Sequence, residues 1–343
     1  MYGPAIPTMR CPMSNNWNLR YAKEQVVDLR WGAIHQTLPE SVYDGVANIM
    51  KTSNLYPDPD GLKKALARKE NLPKEMIEIT AGADFALLML GIMYGKDTHI
   101  FTPTYKGYLD IKKFGHKVTE HNALDGTDYN IDSGKIAGAS LIYLANPNNP
   151  FGTTTKSRVM ELVKNNPQAK IVVDETYTDL HNAESVVDEV PKHKNLIVVK
   201  SFSKGYGMAG FRVGYFIADK EIVDALDVDA VYFSTSKVSQ AVALAALKDE
   251  KHFQEMRQRV NAERDLNEQY FRDKGMEVLS SKINCMLLRF PQEKQATKFV
   301  DDCKKHNILV EQGNCDTNVG LTKRYVRIAI GNALEMKKLR AVV

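Results

Sequence analysis

The chain has 343 residues, with 46 Lys and Arg against 42 Asp and Glu, which gives a formal net charge of +4. Hydrophobic residues make up 43% and charged residues 26%, so the composition excludes an intrinsically disordered chain. So small a net charge, without a block of Lys and Arg, argues against a nucleic-acid partner. No apolar run approaches the roughly 20 residues that a membrane helix needs, and the length favours two domains.

The N-terminus and the cysteines bear on the cellular compartment. Residues 1–20 carry Pro, Asn and Arg without an apolar core, so we expect no secretory signal. The cysteines are Cys11, Cys285, Cys303 and Cys315, with no CxxC pair and no His at metal-binding spacing. We therefore expect reduced thiols, no metal site and a cytoplasmic protein.

Helix-like and strand-like segments alternate from about residue 60. Helices are predicted over 61–69 and 84–94. Short apolar runs bounded by turn residues then predict buried parallel strands at 98–101, 141–145, 171–174 and 196–200. This pattern indicates an α/β fold with helices on both faces of the sheet. In such a sheet the ligand site lies beyond the carboxyl ends of the strands, where polar residues follow all four runs.

The pattern changes in the last third of the chain. Residues 238–274 predict one long helix that ends at Gly275. Beyond it, strands are predicted over 276–281, 283–290, 308–312 and 324–331, and helices over 294–307 and 332–340. We expect this part to form a second, smaller α+β unit.

The most informative segment is SFSKGYGMAGFRVGY, residues 201–215. The hydroxyls of Ser201 and Ser203, together with Arg212, suit a phosphate. Lys204 is either a phosphate clamp or an amine that forms an imine. The alternative is a surface turn with a solvated lysine.

Three further segments point to the same edge of the sheet. Asp174 ends a buried strand, where a carboxylate is costly unless it is paired, and a pyridinium nitrogen would pair it. The turn NPNNPFG (146–152) directs amides into a site or is an ordinary loop. Gly82-Ala83-Asp84 begins a helix whose free N–H groups bind phosphate well, unless Asp84 simply caps that helix.

In order and spacing, these segments resemble the fold-type I pyridoxal-phosphate (PLP) enzymes, specifically the class I and II aminotransferases. The resemblance is greatest to the histidinol-phosphate aminotransferase subgroup. It runs from about residue 55 to the C-terminus through YPDP (56–59), TAGAD (80–84), PTYKGY (103–108), NPNNPFG (146–152), VDETY (173–177), SFSKGYGMAGFRVGY (201–215) and YVRIAIG (325–331).

The resemblance implies a fold and an activity. The fold is a large PLP-binding domain, 45–240, around a mostly parallel seven-stranded sheet, with a small α+β domain, 241–343, and an N-terminal arm, 1–44, on the small domain. The activity is transfer of an amino group between an L-amino acid (or amino-phosphate) and a 2-oxo acid. A homodimer with shared sites is also implied, and no metal is required; composition already argues against a nucleic-acid or membrane partner.

The resemblance also implies roles for individual residues. Lys204 would form the internal aldimine with PLP and carry the proton between substrate and cofactor. Asp174 would pair with the ring nitrogen, Tyr177 and Asn149 would bind the phenolic oxygen, and Tyr105 would stack on the ring. The expected phosphate ligands are Gly82, Ala83, Asp84, Ser201, Ser203, Arg212 and, from the partner subunit, Tyr56. Arg327 would bind the substrate carboxylate.

The substrate side departs from the histidinol-phosphate pattern. That subgroup has an arginine after the strand that matches 308–310, where it binds the distal phosphate, whereas this chain has Glu311. A carboxylate there would repel a phosphate dianion. We therefore expect a different amino acid, with a basic or polar side chain that Glu311 could pair with, unless this loop is aligned wrongly.

Other PLP chemistries share the same cofactor motifs. A decarboxylase or other lyase, or an oxidase or cyclase acting on a basic amino acid, would carry them too. A non-catalytic PLP-binding regulator ranks last, because the chain has no room for a DNA-binding domain before Tyr56. Transamination is the preferred hypothesis by analogy of fold, and the sequence does not identify donor, acceptor or pathway.

Overall fold

The computed structural model describes residues 26–315 and 317–343. Most of the N-terminal arm predicted over 1–44, together with Cys11, therefore lies outside the described residues. Within the described part, no helix combines the length and apolar character that crossing a membrane requires.

The described residues contain α-helices from Glu40 to Arg340. They are α1 (Glu40–Met50), α2 (Asp60–Glu70), α3 (Ala83–Tyr94), α4 (Lys156–Asn165), α5 (Thr178–His181), α6 (Phe202–Gly205), α7 (Lys220–Leu226), α8 (Asp229–Tyr232), α9 (Lys237–Lys248), α10 (Glu250–Asp273), α11 (Glu293–Lys305) and α12 (Ala333–Arg340). Turns of 3₁₀ helix lie at Lys74–Met76, Lys106–Phe114, Val187–Lys192 and Ala209–Phe211.

Strands are short, as expected between helices. They are β1 (Val27–Asp28), β2 (Ile77–Thr80), β3 (Asp97–Thr102), β4 (Thr104–Tyr105), β5 (Lys117–Asn122), β6 (Leu124–Asp125), β7 (Asp128–Tyr129), β8 (Leu141–Ala145), β9 (Lys170–Asp174), β10 (Leu196–Ser201), β11 (Gly214–Ile217), β12 (Glu277–Leu279), β13 (Cys285–Arg289), β14 (Ile308–Leu309), β15 (Glu311–Gln312), β16 (Asn318–Val319) and β17 (Tyr325–Ala329).

The central sheet has seven strands in the order β2-β11-β10-β9-β8-β3-β5. Its pairings are parallel from β10 to β5, and β11 runs antiparallel to both of its neighbours. Every residue of β8 and β10 is buried, because hydrophobic clusters cover both faces of the sheet. This confirms the predicted α/β architecture.

The register of the central sheet fixes where the site forms. Asp174, at the end of β9, aligns with Ala145 at the end of β8 and with Val199 near the end of β10. The segments 146–152, 175–177 and 201–204 therefore leave the sheet side by side. Three predicted motifs meet at one edge as a result.

A second sheet, in the order β12-β13-β17-β15, is antiparallel and has its own hydrophobic core. Arg327 on β17 lies directly opposite Glu311 on β15. The described end of the N-terminal segment joins this part of the molecule, since β1 pairs in parallel with β14. The domain boundaries predicted after residues 44 and 240 stay predictions.

Some predicted elements differ from those observed. The single helix predicted over 238–274 is two helices, α9 and α10, that meet at Asp249. The strand predicted over 308–312 is divided into β14 and β15. Strands β2, β5 and β11 were not predicted; β5 (KVTEHN) is polar because it lies at the edge of the sheet, where apolar residues are not required.

Candidate active site

Lys204 lies in the short helix α6, immediately after β10. The Ser201 hydroxyl caps this helix by accepting from the Ser203 N–H at 3.1 Å. The Lys204 Nζ donates to the main-chain oxygen of Gly32 at 2.5 Å. Burial, and then the positive charge of Arg327, lower the pKa of Lys204 to about 8. About a tenth of this amine is then neutral at pH 7, far more than for an ordinary lysine, and the neutral form is the one that attacks a carbonyl.

Lys200, four residues earlier, is buried and lies among carboxylates. Its Nζ lies 3.5 Å from Glu70, 3.6 Å from Glu175 and 3.9 Å from Asp179. Burial alone would lower the pKa of Lys200, but the three carboxylates outweigh that effect and raise it. Lys200 is therefore a structural cation, and Lys204 is the nucleophile candidate.

Asp174 is a buried carboxylate whose partners are neutral donors. The Tyr108 hydroxyl donates to its Oδ2 at 2.8 Å, and the Thr176 N–H donates to its Oδ1 at 3.0 Å. Burial raises the pKa of Asp174, which these hydrogen bonds only partly oppose. A cationic ring nitrogen beside this carboxylate would relieve that cost.

Tyr108 is itself held rigidly. Its ring stacks on Tyr143 with centroids 4.8 Å apart and meets Tyr105 edge-on at 5.6 Å. Its hydroxyl is thereby aimed at Asp174. Tyr108 is the last residue of the PTYKGY motif, and the family resemblance implied no role for it.

The start of α3 forms the proposed phosphate end of the site. Gly82 has φ +81°, and a Cβ there would overlap the Arg212 guanidinium, so the glycine allows that close approach. The main chain of Gly82 and Ala83 begins a twelve-residue helix, whose N-terminus attracts anions. Arg212 Nη2 lies 2.9 Å from Asp84 Oδ2. The Tyr105 hydroxyl donates to Asp84 Oδ1, also at 2.9 Å.

Arg327 is buried on β17, and its Nε and Nη1 atoms make hydrogen bonds within the protein. Its Nε donates to Asn149 Oδ1 at 3.0 Å. Its Nη1 donates to the main-chain oxygen of Arg30 at 2.7 Å and to Glu311 Oε2 at 3.1 Å. Asn149 thus ties the 146–152 turn to the carboxylate-binding candidate on the second sheet.

Gly32 is at the centre of the site, and sequence reasoning missed it. A Cβ on Gly32 would lie 3.0 Å from Lys204 Nζ, 3.2 Å from Arg327 Nη2 and 3.3 Å from Tyr177 Oη. Three predicted site residues, from three different segments, therefore converge around this glycine. A lone glycine in a segment without periodicity carried no signal that could have found it.

Two predicted tyrosines have very different surroundings. Tyr177 is buried, which raises the pKa of its hydroxyl, and Lys204 Nζ lies 5.5 Å from its ring centroid. Tyr56, predicted to act on the partner subunit, is 82% exposed and lies 5.1 Å from the ring of Phe233.

The residues present fit PLP. Its aldehyde matches a lysine amine with a lowered pKa, and its ring nitrogen matches a buried carboxylate that needs a cation. Its phosphate matches a helix N-terminus beside an arginine. Among residues 26–315 and 317–343, no group of three or more His, Cys, Asp or Glu side chains could hold a metal ion.

Comparison with known proteins identifies the family. A family model described as aminotransferase class I and II matches residues 24–343. A histidinol-phosphate aminotransferase of Hydrogenovibrio crunogenus is 30% identical, over 83% of this chain and 81% of its own length. The chain therefore belongs to the class I and II aminotransferase family.

Solved structures agree on the fold. The histidinol-phosphate aminotransferase of Sinorhizobium meliloti, solved with pyridoxal-5'-phosphate, aligns with a TM-score of 0.85 at 22% identity, over 99% of this chain and 96% of that one. The L-threonine-O-3-phosphate decarboxylase of Porphyromonas gingivalis aligns with a TM-score of 0.80 at 20% identity, over 92% and 98%. At these identities the likeness shows the fold alone.

The protein is a PLP-dependent aminotransferase of fold type I. The predictions of family, fold class, enzyme class and cofactor are thereby confirmed. The roles of individual site residues stay predictions.

Proposed function

We propose that this aminotransferase moves the amino group of an L-amino acid to a 2-oxo acid at the site centred on Gly32. The observation that carries the proposal is the convergence of Lys204 Nζ, Arg327 Nη2 and Tyr177 Oη within 3.3 Å of one Cβ position. An amine, a carboxylate receptor and a phenol are the groups needed around the α-carbon of an amino acid.

Each end of the cofactor has candidate ligands in this chain. Asp174, held by Tyr108 and Thr176, would keep the proton on the ring nitrogen, and Tyr177 and Asn149 would bind the phenolic oxygen. The N-terminus of α3, Gly82 to Asp84, with Ser201, Ser203 and Arg212, would bind the phosphate, and Tyr105 would cover the ring. When bound, PLP supplies an aldehyde that links to amines and a ring that accepts an electron pair from the substrate.

Arg327 would receive the substrate α-carboxylate through Nη2, since its Nε and Nη1 are already bonded within the protein. Lys204, whose lowered pKa makes the neutral amine more accessible than in an ordinary lysine, would take and return the proton at the substrate α-carbon. Tyr177 and Arg327 are buried beside this amine, which limits the access of water to that proton.

We also propose a homodimer. The support is an apolar surface patch formed by Tyr43, Met50, Leu55, Tyr56 and Phe233, which are between 41% and 82% exposed. Tyr43 and Met50 share one face of α1, and Tyr56 contacts Phe233. Such a patch marks an interaction surface, and a second copy would cover it while bringing Tyr56 to the neighbouring phosphate site. Sedimentation analysis of the purified protein distinguishes dimer from monomer, and a monomer would count against this proposal.

A cytoplasmic location is proposed as well. Cys285, Cys303 and Cys315 are free thiols, which suits a reducing compartment. Thiol titration of the protein isolated under anaerobic conditions tests this, and a disulfide found there would count against it.

The test of the activity is a donor panel without any oxo acid. Purified protein, loaded with PLP, is mixed with single L-amino acids while its absorbance is followed and the products are identified. Loss of the cofactor's visible band with release of the matching 2-oxo acid supports amino transfer. Release of carbon dioxide, ammonia or peroxide instead would overturn it, and Lys204→Ala serves as the inactive control.

A further inference from the structure

Glu311 and Arg327 form a buried ion pair inside the proposed substrate pocket. They lie opposite each other on neighbouring strands, so the sheet register brings them together. Arg327 Nη1 and Glu311 Oε2 are 3.1 Å apart, and the two side chains are 2% and 5% exposed. Thr317 Oγ1 donates to the same Oε2 at 2.6 Å. One carboxylate oxygen of Glu311 is thus held against the arginine.

This pairing limits what Arg327 can offer. A guanidinium has five N–H donors, of which three point to Asn149, Arg30 and Glu311. The two N–H donors on Nη2 are left over, and Nη2 lies next to Gly32 and Lys204. The arginine's charge is also balanced already, by a carboxylate buried beside it.

Arg30, whose main-chain oxygen accepts from Arg327, adds no uncompensated positive charge for a second anion. Its guanidinium donates to both carboxylate oxygens of Asp28 at 2.9 Å. In a buried pocket, repulsion between like charges is stronger than in water. A monoanion on Nη2 meets one compensated arginine, whereas a dianion brings a further negative charge towards Glu311.

We propose that Glu311 determines substrate specificity by restricting the Arg327 pocket to a single monoanionic carboxylate. The favoured amino donors carry one carboxylate and no second anion, with side chains that are neutral or cationic. Phosphate monoesters and dicarboxylic amino acids are disfavoured. This inference rests on the proposed function, because it assumes that Arg327 faces the substrate.

The test compares matched donors that differ in anionic charge. L-Glutamine is paired with L-glutamate, and L-histidine with L-histidinol phosphate. Single-turnover rates are measured on the PLP-loaded enzyme for wild type, for Glu311→Gln, and for Glu293→Gln as control. Glu293 carries the same substitution on an exposed helix end outside the site, and Gln at 311 can still accept from Arg327 and Thr317.

Wild type is expected to favour the less anionic member of each pair by at least about tenfold. Glu311→Gln should reduce that preference at least about tenfold, while Glu293→Gln leaves it unchanged. Equal preference in wild type, or an unchanged preference in Glu311→Gln, would overturn the proposal.

A binding measurement separates this proposal from the proposed function. Calorimetry of the loaded enzyme with butanoate, glutarate and propyl phosphate, none of which carries an amino group, reports the anion preference without turnover. The monocarboxylate should bind most tightly in wild type, and Glu311→Gln should raise the affinity of the two dianions selectively. If these preferences hold while no donor releases an oxo acid, the proposed function fails and the role of Glu311 stands.

Discussion

Replacement of Gly32 by alanine should impair the site while preserving the fold. An ordinary carbon contact is about 3.5 Å. A new Cβ at 3.0 Å from Lys204 Nζ, 3.2 Å from Arg327 Nη2 and 3.3 Å from Tyr177 Oη would therefore move these groups by about 0.2 to 0.5 Å. Misplacement by 1 Å costs about a hundredfold in rate, so for these smaller displacements we expect a loss of about threefold to tenfold.

That loss corresponds to about 0.6 to 1.4 kcal/mol of activation free energy. Overpacking at one site costs about 1–3 kcal/mol of stability, which in a chain of this size lowers the melting temperature by only a few degrees. The assay is the single-turnover rate of amino transfer, measured alongside thermal unfolding. Gly61→Ala is the matched control, because its Cβ would meet nothing within 4 Å in the exposed first turn of α2.

A Gly32→Ala rate within about twofold of wild type would refute the reasoning, since the methyl group would then have entered the site without displacing anything. A loss of activity that follows the melting curve would also refute it, because the damage would then be to the fold.

Two further predictions concern the charges around Lys204 and Asp174. Capture of added PLP by the apoprotein requires neutral Lys204, so the rate of capture should rise with pH to a plateau above about pH 8. The positive charge of Arg327 lowers the pKa of Lys204, so Arg327→Gln should move the midpoint of this profile to higher pH. An unmoved midpoint would contradict this prediction. Tyr108→Phe removes a hydrogen bond from Asp174 and should raise the pKa of that carboxylate further. We expect the affinity for PLP, measured by equilibrium dialysis, to fall about tenfold. Tyr143→Phe is the control, because the Tyr143 hydroxyl donates to the main-chain oxygen of Leu87, and equal effects of the two variants would contradict the role assigned to Tyr108.

The central sheet was largely predictable because its strands are buried on both faces. Runs such as LIYLA and LIVVK contrast sharply with their polar turns, and the predicted limits differ from β8 and β10 by at most one residue. The same contrast marks Asp174 and Lys204, since polar residues at the ends of buried strands need a reason to be there.

What escaped prediction depends on contacts between distant segments. Lys204 and Gly32 are 172 residues apart, and no local pattern connects them. The pairing of Glu311 with Arg327 depends on the strand register, which the sequence alone does not give. The predicted contact of Glu311 with the substrate stays a prediction. The break between α9 and α10 was not predicted, because buried residues recur every three or four positions in both helices.

The most direct test of the account is to identify the lysine that carries the cofactor. The PLP-loaded protein is reduced with borohydride, which makes the lysine–cofactor bond permanent, then digested and mapped by mass spectrometry. The account predicts the added mass on Lys204 alone, because its amine has a lowered pKa of about 8. The mass on Lys200, whose pKa is raised by three carboxylates, or on any other lysine, would contradict it.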